Sequence, residues 1–235
     1  MVGSLSTDTI SKGATNSVGS TVEKSHYDET YFKWQVGTGT LAGVLNGPMY
    51  RPYIKPEDKI FDFGCGGGFL LSSLTAKEKM GVEINPTARA CAAHIGINTV
   101  ASLDALPEES FDVAISCHAL EHTEAPLDVV RTVKGKLKLG GLAVFVVPAE
   151  RYDTEYTADN IDQHLYTWAP VNLGNLFKCA GFEILSVERI ARRWPPGIVL
   201  IKRYLGVSVA QLSCAIFAWL APKLTQIRVV AKRLV

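Results

Sequence analysis

The chain has 235 residues, the size of a single α/β domain, and its hydrophobic content of 47% is that of an ordinary globular protein. A formal net charge of +1 gives no electrostatic basis for binding nucleic acid or an anionic surface. The five cysteines contain no C-x-x-C pair, and no basic stretch followed by an apolar run opens the chain. We therefore expect a cytoplasmic protein with reduced thiols and no nucleic-acid partner.

The N-terminal part of the chain changes character near position 25. Residues 1–24 are rich in Ser, Thr and Gly and lack periodic apolar residues, which predicts a disordered tail. Residues 25–235 are predicted to form one domain. Its first part, 25–57, is predicted to be helical, because Tyr27, Tyr31 and Trp34 share one helical face. The plainest interpretation is a helix packed against the edge of the domain.

A glycine-rich turn then follows a short apolar run. The run Ile60-Phe61-Asp62-Phe63 predicts a buried strand, and a helix is predicted from Phe69 to Ala76. Between them lies Gly64-Cys65-Gly66-Gly67-Gly68. Glycines allow a tight turn and a close ligand approach, and a helix start offers free N–H groups. This combination predicts a site for a nucleotide-like ligand.

The glycine spacing separates two classes of ligand. A dinucleotide fingerprint, G-x-G-x-x-G, would need glycine where Phe69 or Leu71 stands, which disfavours an NAD-dependent oxidoreductase. The pattern present is Asp62-x-Gly64-x-Gly66-x-Gly68.

Strand and helix patterns alternate along the rest of the chain. Further strands are predicted at Lys79–Ile84, Asn98–Ala101, Phe111–Ser116, Leu142–Val147, Phe182–Ile190 and Thr225–Arg233. Further helices are predicted at Pro86–His94, Pro126–Leu139 and Thr167–Ala180. Such alternation predicts a parallel sheet with helices on both faces, with the carboxyl ends of its strands on one edge.

Three stretches resemble the class I S-adenosylmethionine-dependent methyltransferases, in particular their small-molecule types 11 and 23. These stretches are the Asp62–Gly68 loop, Gly81-Val82-Glu83-Ile84-Asn85-Pro86, and Ser110-Phe111-Asp112 through Gly140-Gly141. The resemblance covers Lys59 to Pro148. It implies a Rossmann-like, doubly wound α/β fold with seven mostly parallel strands and an antiparallel C-terminal strand. It also implies a lid role for residues 25–57. The sequence itself predicts a helical insertion, 191–222, before the last strand, because that stretch contains a long apolar run.

The resemblance implies S-adenosylmethionine as cofactor and S-adenosylhomocysteine as product. Asp62 would orient the loop or bind the ammonium group, Glu83 would hold the ribose hydroxyls, and Ser102 and Leu103 would flank the adenine. Cys117 and His118 would lie near the methyl group. The full set of cofactor-binding residues is Asp62, Gly64, Cys65, Gly66, Gly68, Glu83, Ile84, Ser102, Leu103, Cys117 and His118.

Histidines and an acid follow the fourth strand in the pattern His118-x-x-Glu121-His122, and His164 follows the fifth. His122 and His164 are our candidate catalytic residues, as general bases near neutral pH. Two alternatives stay open: a metal site, which we do not assign, and a structural role. A peptidase of the H-x-x-E-H type is disfavoured, because that motif needs a helix and a strand directly precedes it here.

A strongly apolar run, Tyr204–Ala221, occupies the insertion. It is barely long enough to cross a bilayer, and a crossing would separate the last strand from its sheet. We therefore expect no membrane span. The alternatives are a packed cap, a homodimer helix, or peripheral lipid contact through 204–221.

The predicted function is transfer of a methyl group to a small hydroxyl- or amine-bearing acceptor, with a sugar or cell-surface polysaccharide precursor as one candidate. The alternative is an S-adenosylmethionine-binding regulatory or assembly module without turnover.

Overall fold

The computed structural model describes residues 39–149, 155–157, 163–191, 193–220 and 225–234. The predicted disordered tail and the aromatic residues Tyr27, Tyr31 and Trp34 lie outside these ranges, so both remain predictions.

Within the described residues, seven strands form one sheet in the order β3-β2-β1-β4-β5-β7-β6. The strands are β1 (Lys59–Phe63), β2 (Glu78–Val82), β3 (Asn98–Val100), β4 (Phe111–Cys117), β5 (Leu137–Ala149), β6 (Phe182–Ala191) and β7 (Thr225–Arg233). All neighbouring pairs are parallel except those of β7, which runs antiparallel to both β5 and β6. The predicted doubly wound sheet with an antiparallel last strand is therefore confirmed.

The described helices are α1 (39–46), α2 (Phe69–Ser72), α3 (Pro86–His94), α4 (Pro126–Lys136), α5 (Pro170–Cys179) and α6 (Ile198–Leu220). Proline stands at the start of α3, α4 and α5, where its missing N–H costs nothing. Asn85 caps α3, because its side-chain oxygen accepts hydrogen bonds from the Thr87 and Ala88 N–H groups.

Successive strand residues supply opposite faces of the sheet. Ile60 and Phe61, adjacent in β1, are both fully buried but belong to two separate apolar clusters, one on each face. The same split separates Val144 from Phe145 in β5. Burial on both faces explains why these central strands are continuously apolar.

The predicted boundary between α4 and β5 is wrong. Lys138-Leu139-Gly140-Gly141 was expected to end the helix, but β5 already begins at Leu137. Phe111 of β4 pairs with Leu137, whereas Val113 pairs with Leu142. The extra β5 residues form a bulge around Gly140, whose φ of +80° suits glycine.

Other predicted boundaries are wrong by smaller amounts. Helix α2 ends at Ser72 instead of Ala76, and α5 begins at Pro170 instead of Thr167. Strand β2 ends at Val82, so Glu83 lies just beyond it.

The segment after α1 ties the carboxyl ends of β1 and β4 together. Tyr50 is fully buried, and its hydroxyl donates to the Ser116 carbonyl at 2.9 Å. The Ser116 hydroxyl in turn donates to the Phe63 carbonyl at 2.8 Å. These two bonds fix the edge of the sheet from which the glycine loop departs.

Helix α6 is long and apolar enough to cross a membrane by length and composition alone, with 17% of its most apolar window buried. Gly206 interrupts it, with φ 85° and ψ 172°. The uninterrupted part after Gly206 is about 20 Å long, shorter than the roughly 30 Å of a bilayer core. In addition, β6 and β7 precede and follow the helix in the chain and pair with each other from Ala191↔Thr225 to Phe182↔Arg233. Both ends of the insertion therefore lie at the same edge of the sheet, and they could not stand on opposite sides of a membrane.

We expect Tyr50→Phe to lower the free energy of unfolding by about 1 kcal/mol, because it removes a buried hydrogen bond while keeping the ring. Chemical denaturation would measure the change. The matched control is Tyr53→Phe on the neighbouring turn, where the ring contacts the Arg228 guanidinium. Equal stability of the two variants would contradict the assigned role of the Tyr50 hydroxyl.

Candidate active site

The glycine loop turns through three left-handed residues, Gly64, Gly66 and Gly68, with φ values of 73°, 52° and 76°. L-amino acids with a side chain rarely adopt such values, so the alternating glycines match the backbone path. A Cβ on Gly64 would also lie 2.3 Å from the Ala119 Cβ, on the loop after β4. The loop after β1 therefore packs directly on the loop after β4.

The Glu83 carboxylate holds this loop in place from the end of β2. Its Oε2 accepts a hydrogen bond from the Gly66 N–H at 2.9 Å, and its Oε1 accepts one from the Asn85 N–H at 2.8 Å. Burial raises the pKa of Glu83, and these backbone hydrogen bonds oppose the rise. Each carboxylate oxygen can accept more than one hydrogen bond, so Glu83 retains acceptor capacity for a ligand.

Asp62 lies buried at the end of β1, with 2% of its surface exposed. Its Oδ1 atom has no hydrogen-bond partner in the structure. Burial raises the pKa of Asp62 well above its usual range, and the nearby Glu83 carboxylate raises it further. A cationic ligand group at Asp62 would offset both effects.

Two cavities meet at Gly64 and Gly66. The larger, of about 490 Å³, extends past the ends of β2, β3 and β4. The smaller, of about 230 Å³, lies between the glycine loop and α1, and Asp62 lines it. Their arrangement matches an elongated ligand with a large end and a small charged end.

Most of the predicted cofactor residues line one of these cavities. Gly64, Gly66, Glu83, Ile84, Ser102, Leu103 and His118 line the larger one. Asp62, Gly64, Cys65, Gly66 and Cys117 line the smaller one.

Gly68 lines neither cavity. It precedes α2, and a Cβ there would lie 3.1 Å from Ala92 and 3.2 Å from Ile97. Its place in the motif is therefore explained by helix packing, although a ligand role for its backbone stays a prediction.

Several lining residues were not predicted. They include Gly39, Ala42, Gly43, Asn46, Gly67, Asn85, Asp104, Ala119, Glu124 and Asp128. Asp104 could have been identified from the sequence, because it stands two residues after the predicted Ser102. In the structure the Ser102 hydroxyl accepts a hydrogen bond from the Asp104 N–H at 3.0 Å. No comparable motif marked the α1 residues, which reach the loop through tertiary packing alone.

The four residues expected near the reaction come together after β4. The fully buried Glu121 lies 3.9 Å from His118 (Oε1 to Nδ1) and 4.0 Å from His164 (Oε1 to Nε2). The rings of His122 and His164 meet edge to face with centroids 4.9 Å apart. His122 lines the larger cavity and contacts His164, which lines neither cavity.

Two further features shape this corner. His118 has a φ of 55°, an uncommon value for a residue with a side chain, at the point where the chain leaves β4. Cys117 precedes it, and burial raises the pKa of its thiol to about 12. The thiol therefore stays protonated near neutral pH and is a poor nucleophile.

One trio of metal-binding side chains, Glu121, His122 and His164, has ligand atoms within 4.8 Å of one another. The geometry is thus compatible with the metal alternative as well as with proton transfer.

The sheet order, the loop geometry and the paired cavities match those expected of the class I S-adenosylmethionine-dependent methyltransferases. The chain belongs to the methyltransferase domain family, whose profile matches residues 46–187. A curated relative, a ubiquinone biosynthesis O-methyltransferase of Roseobacter denitrificans, is 28% identical over 148 residues, covering 57% of this chain and 58% of that protein. The chain thus spans less than two thirds of that relative's length.

Solved structures share the fold at low sequence identity. A SAM-dependent methyltransferase from Archaeoglobus fulgidus gives a TM-score of 0.62 at 19% identity, covering 87% of this chain and 100% of that one. The 4+2 cyclase SpnF gives 0.58 at 20% identity, covering 86% of this chain and 83% of that one.

The residues present fit S-adenosylmethionine. The buried Oδ1 of Asp62 offers a counter-charge for an ammonium group in the smaller cavity. Glu83 offers a carboxylate at the mouth of the larger cavity, where Ser102 and Leu103 provide a polar and an apolar wall.

We expect Asp62→Asn to stabilise the ligand-free protein at neutral pH while weakening binding of S-adenosylmethionine. Because the folded-state pKa of Asp62 is raised, its stability contribution is present below the unfolded pKa of about 3.9 and lost as pH rises through the folded pKa. The variant escapes this loss, so its Tm should be about 2–4 °C higher at pH 7, the shift that about 1 kcal/mol produces in a domain this size. Its advantage should shrink as the pH is lowered.

Calorimetric titration of the same variant should show affinity for S-adenosylmethionine reduced roughly tenfold to hundredfold. A variant that loses stability at neutral pH and binds like wild type would contradict both assignments.

We expect Glu83→Gln to weaken S-adenosylmethionine binding by about 1–3 kcal/mol, because a neutral amide makes weaker hydrogen bonds to hydroxyl groups than a carboxylate does. The glutamine has one side-chain oxygen, whereas the two Glu83 oxygens accept hydrogen bonds from the Gly66 and Asn85 N–H groups. Titration calorimetry measures the change, and Glu57→Gln, an exposed acid before β1, is the matched control. Indistinguishable isotherms for the two variants would remove Glu83 from the site.

Proposed function

We propose that the protein transfers the methyl group of S-adenosylmethionine to a hydroxyl group of a small acceptor, with His122 or His164 removing the hydroxyl proton. The observation that carries the proposal is the grouping of three imidazoles around the buried Glu121 carboxylate, beside the larger cavity. The name of the Roseobacter denitrificans relative, which specifies O-methylation, supports a hydroxyl over an amine.

The roles of the residues follow from their positions. S-adenosylmethionine supplies a methyl group on a positively charged sulfur, which is already an excellent leaving group. The protein must therefore position the acceptor oxygen and remove its proton. His122 faces the larger cavity and contacts His164 ring to ring, so one imidazole can receive the proton while the other orients it.

The fully buried Glu121 stabilises the imidazolium that results. The Glu121 Oε1 lies 4.0 Å from the His164 Nε2, so a positive charge formed on an imidazole during the reaction would be attracted to the carboxylate. The Glu121 backbone also takes part, because its carbonyl accepts a hydrogen bond from the Leu165 N–H at 2.9 Å. This bond holds the His164 loop against the end of β4.

The strength of an imidazole base favours one kind of hydroxyl. Histidine titrates near pH 6.5 and a phenol near pH 10, whereas an aliphatic hydroxyl resembles water, near 15.7. An imidazole can share the proton of a phenol in the transition state far more readily than that of a sugar. A phenol-like hydroxyl is therefore our proposed acceptor, and the sugar acceptor stays a secondary prediction.

We expect His122→Ala and His164→Ala to lower kcat by about 10²–10⁴-fold for the residue that acts as base, with little change in S-adenosylmethionine affinity. Transfer of radiolabelled methyl to a panel of phenols, sugars and amines measures the rate, and calorimetry measures the affinity. The base variant should also lose the acidic limb of the pH–rate profile. His94→Ala, an exposed histidine at the end of α3, is the control.

Three results would overturn the proposal in different ways. Wild-type rates in both histidine variants would indicate that His122 and His164 have a structural role. Loss of activity on chelation, with recovery on adding a divalent metal, would favour a metal site at Glu121, His122 and His164. Tight binding of S-adenosylmethionine without methyl transfer to any acceptor would favour a binding module, or a reaction such as that of the structurally similar cyclase.

A further inference from the structure

Helix α6 has its large and small apolar residues on unexpected sides. After Gly206 its packed face consists of the small residues Ala210, Cys214 and Ala218, which are all buried, whereas before Gly206 the buried residue is Ile198. The large residues face outward: Leu212 is 60% exposed and Trp219 is 80% exposed. A helix that stabilises a water-soluble core buries its large apolar side chains. In this arrangement most of the apolar area of the helix stays exposed and contributes no hydrophobic stabilisation.

The outward residues form one continuous stripe. Val209, Leu212, Ile216 and Trp219 follow each other at spacings of three and four residues, which places them on one helix face. The part of α6 before Gly206 adds Val199, Leu200, Tyr204 and Leu205, each between 57% and 72% exposed. An exposed apolar surface of this extent marks an interaction site.

The charge distribution points to the partner. The overall charge of +1 conceals a local asymmetry, since the insertion, residues 191–222, contains four Lys and Arg and no Asp or Glu. Lys202 and Arg203 lie within α6, and the Arg203 guanidinium lies 5.6 Å from the ring of Tyr204. Exposed apolar side chains that include Tyr204 and Trp219, in a segment whose charged residues are all cationic, are typical of helices that lie in the headgroup region of an anionic bilayer.

We propose that α6 docks on an anionic lipid bilayer and lies in its interface without crossing it. The break at Gly206 and the pairing of β6 with β7 prevent a crossing. The insertion leaves the sheet where Ala191 pairs with Thr225, beside the carboxyl end of β5. Docking would therefore bring the active-site edge of the sheet towards the membrane.

One helix separates the docking surface from the glycine loop. The buried face of α6 packs on Leu45 of α1, and the Gln211 amide donates to the Val44 carbonyl at 2.8 Å. On its other side, α1 lines the smaller cavity through Gly39, Ala42 and Asn46. The proposal is independent of the acceptor, because it depends only on this surface.

The test is flotation of the full-length protein with vesicles of phosphatidylcholine alone and of an equimolar mixture with phosphatidylglycerol. We expect binding to the anionic vesicles that falls as salt is added, because screening weakens the electrostatic part. Leu212→Ser with Trp219→Ser should abolish binding. Leu139→Ser with Leu234→Ser, two residues of 66% and 53% exposure at the opposite edge of the sheet, should leave it unchanged.

A charge-reversal pair isolates the electrostatic part. Lys202→Glu with Arg203→Glu should weaken binding at least tenfold, on the basis of about fivefold for each cation near an anionic surface. Lys77→Glu with Lys178→Glu, two exposed lysines outside the insertion, is the control. Lipids brominated near the headgroup should quench the fluorescence of Trp219. Loss of this quenching in Trp219→Phe would place the helix in the interface.

Several outcomes would overturn the proposal. They are equal binding to neutral vesicles, equal loss in the control variants, and an absence of vesicle binding. A dimer in sedimentation equilibrium that Leu212→Ser with Trp219→Ser converts to a monomer, without vesicle binding by the wild type, would assign the stripe to a second copy of this chain. If the protein bound vesicles only after residues 1–38 were removed, the stripe would be the docking site of that segment.

Discussion

The structure of the site depends on two carboxylates at the ends of neighbouring strands: the buried Asp62, the fourth residue of β1, and the half-buried Glu83, just past β2. Burial raises the pKa of both, and Glu83 adds to the shift at Asp62. Glu83 meets part of this cost through the Gly66 and Asn85 N–H groups, and in doing so it sets the path of the glycine loop. Asp62 has no such compensation at Oδ1, so its ionised form carries an electrostatic cost that a cationic ligand group would offset. This is the physical link between the sheet and the function of the family.

Much of this arrangement could be predicted because it is encoded locally. The spacing of Gly64, Gly66 and Gly68 matches their left-handed backbone, and Glu83 follows from its distance along the chain. His164 could be placed near His122 because both follow parallel strands, whose carboxyl ends share one edge. What could not be predicted depends on pairing between distant segments. The bulge around Gly140 results from the register of β4 against β5, and sequence periodicity alone does not reveal it.

The contribution of α1 shows the same limit. Its residues Gly39 and Gly43 contact Phe69 so closely that a Cβ on either would lie within 2.7 Å of it. Nothing in the local sequence identifies these glycines as a packing surface for the loop. The lid role expected for residues 25–57 stays a prediction, but the close fit gives it a physical basis, because any displacement of α1 would expose the smaller cavity. Tyr50 limits such displacement from the other end, by fixing the chain to the Ser116 carbonyl.

The reaction cannot be deduced from the fold, because a methyltransferase and a cyclase both superimpose on this chain with similar scores. The distinction must come from the groups after β4. Proton removal would give the imidazoles around the fully buried Glu121 a chemical use and would offset the cost of burying that carboxylate. Methyl transfer to a neutral hydroxyl does need such a base, since the oxygen becomes a good nucleophile only as its proton leaves. The placement of Glu121, more than the glycine loop, is therefore what supports the proposed O-methylation.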